Sequence, residues 1–193
     1  ANVFNNADAG FAIQHFGNYD FTAWTNDKKG YAADKTVGGG VLTLQGITQV
    51  GNFTFNGTTG NLTGYLGTGG VVEIPEKFGT MPVRAIGKNA FLGRVGITSV
   101  TMKSGIFSIG DSAFAGVTTL ANVTLGSGLS SIGKSAFQDC DELTSVTIPA
   151  SVTLIDAGAF SSCDKLTAIN VDLNNSKYFG SAGVVYNKDQ TIL

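Results

Sequence analysis

The chain is 193 residues long and only 13% of it is charged, about half the usual quarter. Twelve Lys and Arg against fourteen Asp and Glu leave a net charge of −2, which lacks the basic footprint of a nucleic-acid binder or a polybasic membrane patch. Hydrophobic residues at 42% supply material for one or two cores and argue against disorder, yet no apolar run nears the ~20 residues of a membrane span. The chain begins at Ala1 with no basic or apolar leader, so the expectation is that any signal peptide has been removed. Few charges and much Gly, Thr, Ser and Asn suit an exported bacterial protein, secreted or held at the cell surface.

His15 is the only histidine, and Cys140 and Cys163 are the only cysteines. Such a set offers little for a zinc site or a His-dependent triad. The expectation is no enzyme, no metal and no cofactor.

Residues 1–49 carry no long period. Phe11–His15 and Tyr19–Ala23 alternate like strands around a Gly17-Asn18 turn, and Gly38–Gly40 precedes a strand-like Val41–Leu44. This stretch reads as a β-rich segment covering the amino-terminal end of the remaining chain, or as a separate binding domain. Phe53–Gly57 begins a cap region over residues 50–85.

Residues 86–173 repeat. The pairs Ala90-Phe91, Ala113-Phe114, Ala136-Phe137 and Ala159-Phe160 recur every 23 residues. The same phase holds for Ile86, Ile109, Ile132 and Ile155, and for Ile97, Leu120, Leu143 and Leu166. It holds again for Val100, Val123, Val146 and Ile169, for Met102, Leu125, Ile148 and Val171, and for Val83, Ile106, Leu129 and Val152. Six apolar columns over four periods mark a solenoid, because no single unit can bury them without a neighbour. Val123 and Leu125 alternate as a half-buried strand requires. Asn89, Ser112, Ser135 and Gly158 precede the Ala-Phe pairs and are favoured helix N-caps, which predicts a short helical turn there.

The run Leu120-x-x-Val123-x-Leu125 resembles a leucine-rich repeat, and 23 lies within the 20–29 residues of that class. Gly105, Gly128 and Ser151 stand where Asn or Cys is usual. The variant Val146-Thr-Ile148-Pro149-x-x-Val152-x-x-Ile155, then Ala159-Phe160-x-x-Cys163-x-x-Leu166, is similar to the BspA-like repeats of bacterial surface proteins. Asn61–Pro75 resembles the hairpin that precedes the first unit in that family. Asn175–Leu193, within a carboxy-terminal hairpin region 174–193, resembles a segment that leads into further repeats. The resemblance covers about residues 50–193. It implies an α/β solenoid of parallel strands and short helical turns behind an all-β amino-terminal segment, and adhesion to extracellular-matrix proteins.

Cys140 and Cys163 lie one period apart and read as small side chains behind the turn, with a cross-rung disulfide as the alternative. Asp139, Asp141, Glu142 and Asp164 read as solvated loop carboxylates, and His15 as a packed or surface residue. The strand residues flanking the buried ones point to the concave face. Ser99, Thr101, Asn122, Thr124, Ser145, Thr147 and Asn170 therefore form the candidate partner-binding columns, with Lys103, Gly126, Pro149, Ala168 and Asp172 beside them. They are small, polar and almost uncharged, suited to hydrogen-bonding a protein or a glycan. Two functions stay open: a protein-binding or adhesion module, and a passive spacer or stalk within a larger surface protein.

Overall fold

The apolar columns become a stack of parallel rungs, about five turns at a spacing of about 23 residues. The structure, a computed structural model, describes residues 42–44 and 47–188. The strands read at Phe11–His15 and Tyr19–Ala23, and His15 itself, lie outside the described residues.

The chain enters through β1 (Leu42–Leu44), β2 (Ile47–Val50), β3 (Phe53–Asn56) and β4 (Asn61–Tyr65), paired antiparallel in succession. It continues through β5 (Gly70–Glu73), a small hairpin of β6 (Lys77–Phe78) and β7 (Met81–Pro82), and β8 (Ala85–Ile86). Each later rung contributes one strand to each of two layers. The first layer receives β9 (Ile97–Thr101), β11 (Asn122–Thr124), β13 (Ser145–Ile148) and β15 (Ala168–Val171). The second receives β10 (Ser108–Ile109), β12 (Ser131–Ile132) and β14 (Leu154–Ile155). A hairpin of β16 (Tyr178–Ser181) and β17 (Val184–Asn187) comes after them.

Register follows the period. In the first layer Val100 faces Val123 across β9–β11, and Val146 faces Ile169 across β13–β15, all parallel. In the second layer Ile86, Ile109, Ile132 and Ile155 line up through β8, β10, β12 and β14. The first-layer ladder is interrupted between β11 and β13. Asp172 N–H donates to the Ile148 carbonyl at 3.0 Å. One rung earlier, Pro149 has no N–H to offer Leu125.

Asn61–Pro75 departs from the expected hairpin. Its strands β4 and β5 do not pair with each other: β4 runs parallel to β8 and β5 runs parallel to β9. The stretch is a first rung, with Leu62 opposite Ile86 and Val72 opposite Val100.

The expected short helical turns are also corrected, since the described residues contain no helix. Asn89, Ser112 and Ser135 are not N-caps but hold positive φ of 60°, 51° and 53°, and Gly158 holds 67°. An N-cap needs a β-region backbone. A positive φ at the third position of a turn closed by an i→i+3 bond is instead the type II arrangement. Ala90 N–H donates to Gly87, Ala113 to Gly110 and Ala136 to Gly133, closing such turns. The intervening N–H groups are thereby turned sideways. Asn89, Phe91 and Gly93 donate to Asp111, Ala113 and Ala115 of the next rung, at 3.1, 2.7 and 2.8 Å. The next rung repeats the pattern through Ser112, Phe114 and Gly116. A helix would direct every N–H along its own axis and leave rungs unjoined on this side.

Between these layers lies the core. Phe91, Phe114 and Phe137 are wholly buried, while Phe160, in the fourth unit, is half-buried. Tyr65 extends the column, giving successive ring centroids 5.4, 4.6, 5.1 and 5.3 Å apart from Tyr65 to Phe160. Parallel rungs impose that stacking, because each ring repeats the one before at the strand spacing of about 4.8 Å. Phe137→Ala removes a ring from both neighbours and should cost about 3–5 kcal/mol. Urea denaturation reads that loss, and a cost below about 1 kcal/mol would show that the column is not core.

After β15 side chains take over part of the inter-rung bonding. Tyr178 occupies the column of Ile155, and its Oη accepts the Ile155 N–H at 3.0 Å where a further rung would offer a carbonyl. Asn175 occupies the column of Val152 and is buried. Its Nδ2 donates to the Pro149 and Val152 carbonyls at 2.8 and 3.0 Å, while its Oδ1 accepts the Lys177 and Tyr178 N–H groups, both at 2.8 Å. Asn175→Ala leaves four backbone groups without their partner, the Val152 carbonyl and the Tyr178 N–H in buried bonds, and should cost at least about 2 kcal/mol by the same denaturation assay.

Candidate functional site

The outward residues of the first layer stand in register within each of its two paired groups, β5–β9–β11 and β13–β15. Ser99 faces Asn122 and Thr101 faces Thr124. Ser145 faces Ala168 and Thr147 faces Asn170. Asn122, Thr124, Ser145, Thr147 and Asn170 are exposed, while Ser99 and Thr101 are half-buried. The interruption between β11 and β13 falls in the middle of the array, between Asn122 and Thr124 on one side and Ser145 and Thr147 on the other.

Strand β5 adds two residues that sequence reasoning missed. Val71 faces Ser99 and Glu73 faces Thr101, both exposed, so each column starts one rung earlier than the 23-residue period showed. The signal was present: Val72-Glu-Ile74-Pro75 has the pattern of Val146-Thr-Ile148-Pro149. Glu73, Lys103 and Asp172 put the face's charges at its margins and leave the middle neutral.

The loop carboxylates do not converge with these columns. Glu142 is held by Lys165 of the next rung at 2.7 Å, an exposed pair contributing little to stability. Both cysteines are free thiols. Cys140 Sγ donates to the Phe114 carbonyl at 3.3 Å, and Cys163 Sγ to the Phe137 carbonyl at 3.1 Å. Each thus ties its rung to an earlier one. Burial, with the Cys163 sulfur nearby, pushes the Cys140 thiol from 9.0 up to about 12. Burial raises Cys163 too.

Outside these columns, one further concavity has geometry of its own. A cleft of about 400 Å³ lies against the β3–β4 turn and the β6–β7 hairpin, with Arg84 on its wall.

The repeats match the model of the BspA-type leucine-rich repeat region over residues 84–184, in six copies. The chain belongs to the BspA-type leucine-rich repeat family. A leucine-rich repeat protein from Bacteroides capillosus is 33% identical with a TM-score of 0.58, covering 66% of this chain and 99% of that one. A leucine-rich repeat protein from T. pallidum is 31% identical with a TM-score of 0.49, over 56% of this chain and 62% of that one. The pneumococcal vaccine antigen PcpA shares the fold at 19% identity and a TM-score of 0.53, over 78% of this chain and 54% of that one. A comparison with curated proteins found no match. No catalytic family is indicated, and no helix among the described residues is long and apolar enough to cross a membrane.

The thiol chemistry has a pH consequence. A folded-state pKa raised above the unfolded value means the native protein holds a proton that the unfolded chain releases. The stabilisation is complete below pH 9.0 and is lost as pH climbs toward about 12. Urea unfolding from pH 8 to 11 should therefore show a steeper decline for the parent than for Cys140→Ala. Parallel declines would mean that Cys140 titrates as an ordinary thiol.

Proposed function

We propose that the chain is a noncovalent protein-binding module of a bacterial cell surface or secreted protein, acting in adhesion. The observation that carries this reading is the set Asn122, Thr124, Ser145, Thr147 and Asn170: exposed, small and uncharged on three successive rungs, with Thr147 and Asn170 in register across β13–β15. Such a face has no charge to desolvate, and the core beneath holds its hydrogen-bonding groups in place before a partner arrives. Ser99 and Thr101 continue it, and Glu73, Lys103 and Asp172 supply the charged rim that orients an incoming protein. Membership of the BspA-type family supports the same reading.

The test is surface plasmon resonance of the immobilised chain against a panel of purified extracellular-matrix proteins. Thr124→Arg with Thr147→Arg places two bulky like charges on the neutral centre of the face. It should weaken a retained protein by about tenfold or more with folding intact, whereas Asp164→Arg on a loop should not. Equal affinity for both variants would move the contact off this face. Retention of no panel member by the parent would favour the spacer.

A further inference from the structure

The cleft beside Arg84 is built by an irregularity in the repeat. Nine residues separate Val100 from Ile109, Val123 from Ile132 and Val146 from Ile155, but fourteen separate Val72 from Ile86. The five extra residues are accommodated by the β6–β7 hairpin, with Lys77 facing Pro82 and Phe78 facing Met81. Repeat proteins carry binding function on such insertions, because an added loop leaves the stacked core unchanged.

The insertion is anchored on both sides. Phe78 turns inward and stacks on Phe55, with centroids 4.3 Å apart. Opposite it, Asn56 Oδ1 accepts the N–H groups of Thr58 and Thr59 at 2.9 and 3.0 Å, fixing the β3–β4 turn. Arg84 N–H donates to the Gly60 carbonyl at 3.2 Å. Gly60 has φ 73°, and a Cβ there would stand 2.3 Å from the Pro82 carbonyl oxygen, so the two walls meet across a residue that must be glycine. The cleft exists before any ligand enters it.

Its lining combines three kinds of group. Thr58, Thr59 and Thr80 are exposed residues bearing hydroxyls, Met81 and Pro82 are apolar, and Arg84 is the only charged residue. The guanidinium carbon lies 5.4 Å from the centroid of the half-exposed Phe107 ring, a platform that holds a cation without neutralising it. Among the described residues Arg84 makes no ion pair. A guanidinium at the edge of an open cleft, with no ion-pair partner among the described residues, can take a carboxylate or phosphate through its planar fork. Threonine hydroxyls donate and accept hydrogen bonds, as sugar hydroxyls do. The apolar pair suits the C–H face of a pyranose ring, and about 400 Å³ is at the small end of ligand sites.

The geometry points to a binding site for a carboxylate-bearing sugar, a uronic-acid type residue, with Arg84 on the carboxylate and the threonines on ring hydroxyls. None of its residues belongs to the first-layer columns, so it stands or falls independently of the protein-binding face.

Glucuronate, glucose and acetate are the probes, titrated into the whole chain while amide shifts are followed by NMR. Glucuronate should give saturable shifts confined to residues 56–60 and 79–84. Glucose and acetate should each bind about tenfold or more weaker. Arg84→Gln should weaken glucuronate by a similar factor, and Thr80→Val, whose exposed side chain plays no part in packing the hairpin, should weaken it several-fold with the remaining spectrum unchanged. Shifts elsewhere, the absence of saturation, or glucose binding as well as glucuronate would overturn the site. Acetate equal to glucuronate would overturn the sugar and leave a bare carboxylate pocket. Unchanged affinity in both variants would overturn the assigned contacts.

Discussion

Every rung depends on its neighbours for much of its backbone hydrogen bonding. The units are too short to close their own N–H and C=O groups, and a buried unpaired group costs about as much as a lost hydrogen bond. The type II turns at Asn89, Ser112 and Ser135 resolve this on the side without strands. Alternate N–H groups close the turn, and those between them reach the next rung. Together with the two strand layers, they join neighbouring rungs along most of their perimeter. The aromatic column follows from that register: rings stack because their backbones do.

The described stack is flanked differently on its two sides. At one end the antiparallel run β1–β4 turns the chain into the first rung, where Phe53, Phe55, Tyr65 and Phe78 make an aromatic cluster continuous with the phenylalanine column. At the other, Asn175 and Tyr178 meet the rung before them through side-chain atoms where earlier rungs use backbone. Irregular rungs are also where the chain carries residues the core does not require. The Arg84 cleft is the clearest instance, since the insertion that forms it leaves Val72 and Ile86 in register with Val100 and Ile109.

Legibility in the sequence followed periodicity. The apolar columns from Val83 to Val171 and their parallel register were readable because a strict 23-residue spacing survives in every unit. The first rung was not, because its landmarks are displaced: Tyr65 precedes Phe91 by 26 residues and Val72 precedes Val100 by 28. The turn conformation was misread because Asn, Ser and Gly favour both N-caps and left-handed positions. Only the partner of the following N–H distinguishes them, and that partner lies on another rung. Of the outward face, its residues and alternation were legible. The interruption between β11 and β13 was not, although Pro149, which has no N–H to offer Leu125, was visible in the sequence.

The central claim is that the Ala-Phe turns are hydrogen-bonded ladders between rungs and not surface loops. Native-state hydrogen exchange at single-amide resolution tests it most directly. In the middle of the stack the Phe114 and Phe137 amides, bonded to Ala136 and Ala159 at 2.7 Å, should exchange only through cooperative unfolding, as slowly as the Val146 strand amide. Exchange at the rate of an exposed turn, with Val146 still protected, would contradict the account.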